Sequence, residues 1–125
     1  MKLKTILFSI ACIFNFNSCQ KAGIGGNASI AVFVYENQKL AQNITVYLKF
    51  NTNKEPNELS DYDLVKNCDT SGHYLGHTHF SNLKAGKYFL LAKINDASKK
   101  ENKKGKSILI NSENKNTETD IRIDL

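Results

Sequence analysis

From Ala28 onward the apolar residues return at every second position, and that period dictates extended backbone rather than helix. Ile30, Val32 and Val34 alternate with Ala31, Phe33 and Tyr35. After the polar turn Glu36-Asn37-Gln38-Lys39, Ile44, Val46, Leu48 and Phe50 alternate with Thr45, Tyr47 and Lys49. Neighbouring side chains on a strand point to opposite faces, so each run offers one apolar row to a core. The residues are β-branched and aromatic, types that fit a pleated surface. Further strands are expected at 62–67, 73–81, 87–94, 107–110 and 119–125. In the last, Ile121, Ile123 and Leu125 face inward, and Asp120, Arg122 and Asp124 outward. Residues 51–63 form a polar loop around Pro56, and Asp69-Thr70-Ser71-Gly72 is turn chemistry. The segment 97–106 carries five lysines against one glutamate, which predicts a solvated hairpin loop, with contact to an anionic surface as the alternative. About seven short strands with turns at short intervals predict an all-β chain folded as one antiparallel, Ig-like sandwich.

The first nineteen residues read as a processing segment. Lys2 and Lys4 open it, and an uncharged apolar run follows from Thr5 to Phe16. That run is about a dozen residues long, whereas a membrane-spanning helix needs roughly 17–25. Residues 20–27, QKAGIGGN, hold three of the seven glycines and little to bury, so a flexible tether is expected there and a domain over 28–125. Phe16-Asn17-Ser18-Cys19 resembles the bacterial lipoprotein box, although Phe16 stands where Leu is usual and Asn17 is atypical. The resemblance implies that Cys19 is acylated and becomes the first mature residue. It also implies, from Gln20 rather than Asp after the cysteine, an outer-membrane or cell-surface address, with the periplasmic face as an alternative. An ordinary secretory peptide, or processing at Cys12, are the other readings; the latter would leave Ile13, Phe14 and Phe16 in the tether. Several acyl chains, each methylene contributing roughly 0.8 kcal/mol, make the membrane itself a partner through a lipid anchor.

Under that processing only Cys68 stays as a thiol, so no intrachain disulfide is available and the core alone must hold the fold. Without Lys2 and Lys4, 15 basic residues stand against 12 acidic ones, a net of +3. A mildly basic exported chain gives no reason to expect a nucleic-acid partner.

The pattern Asp69-x-x-Gly72, Phe80-x-Asn82-Leu83-x-x-Gly86-x-Tyr88 resembles the carboxypeptidase-regulatory-like, or transthyretin-like (prealbumin-like), β-sandwich domains. Leu40-x-x-x-Ile44-x-Val46-Tyr47-Leu48 is similar to their opening hairpin, and the likeness spans 28–125. It implies a sandwich in which Gly86 occupies a turn with positive φ and Tyr88 buries its ring while bonding its hydroxyl to backbone. Members act as accessory, carrier or structural modules, so the likeness implies no single function.

No catalytic constellation stands out, and no enzyme activity or cofactor is expected. Cys68 near a histidine is weak support for a Cys–His pair, and a small semi-buried residue is the simpler expectation. His77 and His79 fall on one face of a strand, with His73 and Cys68 close in sequence; imidazole and thiolate suit zinc or copper. A metal-binding lipoprotein using His73, His77 and His79 is therefore the alternative to a structural or binding module, and solvent-facing histidines are the simpler expectation. If Val32, Val34, Val46, Tyr88, Leu90, Ala92 and Ile94 face the core, then Phe33, Tyr35, Tyr47, Phe89 and Leu91 share the outward side. Such a patch either docks an envelope protein or glycan, or is covered by the 51–67 loop.

Overall fold

The computed structural model describes residues 21–68, 75–96, 98 and 102–125. The processing segment with Cys19, the turn 69–72 and His73 lie outside the described residues. Among the described residues eight strands run in chain order: β1 (Ile24–Glu36), β2 (Lys39–Leu40), β3 (Ile44–Phe50), β4 (Leu64–Asn67), β5 (His77–Leu83), β6 (Gly86–Ile94), β7 (Lys103–Ile110) and β8 (Glu118–Asp124). Among the described residues the only helical pieces are single 3-10 turns at Leu59–Asp61 and Ser112–Asn114.

The strands form two sheets of four. In the first, β1 pairs with β2 and β5 antiparallel and with β8 parallel; the second has the order β4-β3-β6-β7, antiparallel throughout. The inner rows meet as the two-residue period requires. Val32, Val46 and Leu90 are each 0% exposed, and Ile30, Phe80, Tyr88, Ile110 and Ile123 fill the same core. Burial of each such side chain contributes about 1.5–3 kcal/mol relative to exposure.

Where seven antiparallel strands are expected, the described residues hold eight, and β8 pairs with β1 in parallel. The extra strand is the two-residue β2, formed because Asn37 and Gln38 both take positive φ (51° and 65°) and reverse the chain tightly. The parallel pairing joins the first strand to the last, with Ser29 opposite Glu118 and Tyr35 opposite Asp124.

Of the stretch expected as a tether, the part from Ala22 on is instead built into the fold. Ile24 already pairs with Leu83, a bulge follows in which Ala28 opposes the same residue, and Ala22 is buried. Asn51, itself at φ 61°, accepts a 2.7 Å hydrogen bond from the Ala22 amide and so stands in for a neighbouring strand. Tyr88 completes the clasp. Its buried hydroxyl donates to the Lys84 carbonyl at 2.6 Å and accepts from the Gly23 amide at 3.0 Å, a corner of the kind expected. Gly86 has φ 150°, and a Cβ there would lie 2.6 Å from the Ala22 nitrogen, so close chain approach demands glycine. Both apolar cores are assembled from residues within 22–125.

The lysine-rich loop is also shorter than expected. β7 starts at Lys103, opposite Lys93, and its lysines lie along a sheet edge, where charge discourages pairing with another chain.

Candidate functional site

The outer face of the first sheet gathers most of the chemistry-bearing side chains. Because Ile30, Val32 and Val34 point inward, Phe33 and Tyr35 of β1 point outward, and register brings His77 of β5 and Arg122 of β8 to either side of Phe33. The Phe33 and His77 rings stack with centroids 5.3 Å apart and planes 15° from parallel. His77 in turn meets His79 edge-on at 5.4 Å. The Arg122 guanidinium lies 3.9 Å from the centre of the Tyr35 ring, a cation–π contact, and bonds Asp124 at 2.8 Å. That hydrogen bond holds the Asp124 carboxyl below the usual carboxylate range, and Lys104 and Lys106 lower it further. Asp124 raises the Arg122 pKa in return. His79 Nδ1 lies 3.2 Å from a Glu118 oxygen that also accepts from the Ser29 hydroxyl. Phe33, Tyr35, His77 and His79 are half-buried, and neither Phe33 nor Tyr35 belongs to an apolar core.

Only two of the five residues expected on one outward side are here. Tyr47, Phe89 and Leu91 also point outward, but from the second sheet, whose outer face looks the opposite way. Phe89 and Leu91 are 8% and 1% exposed beneath Tyr62, which with half-buried Tyr47 makes a second small core. The 51–63 segment therefore covers this face. Asp63 fixes one end by accepting from the Phe50 amide at 2.7 Å, and Glu55 reaches across to Lys103 on β7 at 3.0 Å. Gly105 leaves room for the Phe89 ring, which a Cβ would strike. The patch splits because an alternating pattern assigns faces within a strand and says nothing about which strands share a sheet.

His77 and His79 do lie on one face, as the spacing predicts. His73 lies outside the described residues, and Cys68 is only 5% exposed, packed into the main core. Among the described residues no group of three or more His, Cys, Asp or Glu side chains could hold a metal ion. Sequence reasoning passed over Tyr62, Glu118 and Arg122 as site residues. Arg122 carried a signal, since it alternates between Ile121 and Ile123; Glu118 and Tyr62 gained their places only through register and loop closure.

No family model matches the chain, and no curated protein sequence matches it.

Proposed function

We propose that the chain is an exported lipoprotein, acylated at Cys19 and held at the outer membrane or cell surface, whose transthyretin-like sandwich is a non-enzymatic binding module. The observation that carries the binding role is the contrast between the two outer faces. One is sealed by its own loop through Tyr62, while the other presents half-buried Phe33, Tyr35, His77 and His79 outside both cores. A sheet face studded with rings offers stacking area, and Glu118, Asp120 and Arg122 rim it with hydrogen-bonding groups. That chemistry suits an envelope protein or glycan. The lipoprotein-box likeness at Cys19 supports the address.

The test is a cross-linking pull-down from membranes. Wild-type chain captures a partner, whereas Phe33→Ser with Tyr35→Ser loses it while the circular dichroism spectrum stays unchanged. Equal capture by both proteins would remove this face from the reading. The anchor is checked separately by detergent partition, where Cys19→Ala moves the protein to the aqueous phase.

A further inference from the structure

The end of the sandwich where β1 begins also holds the β5–β6 turn and the 111–117 crossing from β7 to β8. A groove of about 450 Å³ opens there between Gly26-Asn27, Leu83-Lys84-Ala85 and Lys115-Asn116, with Lys21 at its rim. Three lysines, Lys21, Lys84 and Lys115, are among its lining residues, and among the described residues no acidic one lines it. Among the described residues none of the three has an acidic partner, although the surface elsewhere pairs Lys49 with Asp63, Lys103 with Glu55 and Arg122 with Asp124. Asn27 and Asn116 add side-chain amides, one bonded to the other at 3.5 Å. Lysines and side-chain amides along the lining suit a phosphate, with Leu83 and Ala85 buried behind them, and the room beyond it suits an attached organic group. The volume lies within the range of small-molecule sites and far exceeds a bare phosphate.

Position decides the source. Lys21 follows Cys19 by two residues, a reach of roughly 7 Å when extended. With Cys19 acylated, as proposed above, this end of the molecule rests at the level of the lipid headgroups. We propose that the groove binds the phosphate headgroup of an anionic lipid in the membrane that anchors the chain. The site seats the sandwich end-on, leaving the Phe33–Tyr35 face perpendicular to the membrane and open to partners. The inference rests on the anchor for its choice of ligand, and its test does without the acyl chain.

The probe is the chain from Gln20 to Leu125, which contains both cores, mixed with vesicles of phosphatidylcholine alone or doped with phosphatidylglycerol. Binding is expected only to the doped vesicles and weakens with salt. A lysine near an anionic surface contributes about fivefold in partition, so Lys84→Gln with Lys115→Gln loses about 25-fold at unchanged Tm. Lys104→Gln with Lys106→Gln removes the same charge from β7 and is the control, expected to lose several-fold less. Equal losses from the two pairs would reduce the effect to net charge and overturn the site. Binding to neutral vesicles, or binding of inorganic phosphate alone as strong as binding of the doped vesicles, would overturn the lipid headgroup as its ligand. Failure of the anchor shows instead in the detergent partition of Cys19→Ala and leaves these vesicle results standing.

Discussion

Tyr62 brings a hydroxyl into the small core over the second sheet, and among the described residues that buried oxygen has no hydrogen-bond partner. An unsatisfied buried polar group costs about 1–3 kcal/mol. Tyr62→Phe keeps the ring against Tyr47 and removes the oxygen, so it raises Tm by a few degrees in a thermal melt. Burial, with Glu55 and Tyr47 adding to it, pushes the Tyr62 pKa up to about 12. A tyrosine in unfolded chain titrates near 10. The folded pKa is the higher one, so the neutral form is favoured by folding. Wild-type stability therefore holds below pH about 10 and falls as pH rises from there through about 12. Urea midpoints across that window decline less steeply in Tyr62→Phe; parallel curves would mean the hydroxyl meets solvent. Asparagine shows a related point at this scale. Asn37, Asn43, Asn51 and Asn82 all adopt positive φ, a region its short polar side chain tolerates. The abundance of asparagine was plain in the sequence, but the backbone that uses it was not.

At the scale of elements, the strands of both inner rows were legible because burying one face of a sheet forces a two-residue period. Their lengths and partners were less so. Glycine at 23, 25 and 26 suggested a tether, yet Tyr88 and Asn51 hold that segment from 65 and 29 residues away. Long-range hydrogen bonds of this sort leave no local pattern. Sheet membership was hidden for the same reason, which is why Tyr47, Phe89 and Leu91 were grouped with Phe33 and Tyr35. The β1–β2 hairpin shows an element working against its sequence. Its turn needs positive φ at both central residues, and Gln38 supplies the second at a cost of roughly 1–2 kcal/mol. Gln38→Gly relieves that strain and gives back about 0.5–1 kcal/mol in chain entropy. The net expectation is a Tm higher by a few degrees. A lower Tm would mean that the exposed Gln38 side chain stabilises the turn in another way.

For the whole molecule, the decisive contact is the parallel seam that joins β1 to β8. Ser29 and Glu118, 89 residues apart, sit side by side, and from there β1 and β8 run together to Tyr35 and Asp124. The seam puts Ile121 and Ile123 into the core between the sheets and supplies Glu118, Arg122 and Asp124 to the candidate face. Each isoleucine contributes about 1.5–3 kcal/mol by burial, so the pair accounts for roughly 3–6 of the 5–15 kcal/mol typical of a domain. Losing the ladder also bares one edge of β1, an open template for association. A chain stopped after Thr117 is therefore expected to melt lower by roughly 12 °C or more, at about 4–8 °C per kcal/mol, and to self-associate in light scattering. Circular dichroism read against temperature decides it. If the shortened chain melts cooperatively within a few degrees of the full one, β8 is an appendage, and the sheet beneath Phe33 and His77 stands on β1 and β5 alone.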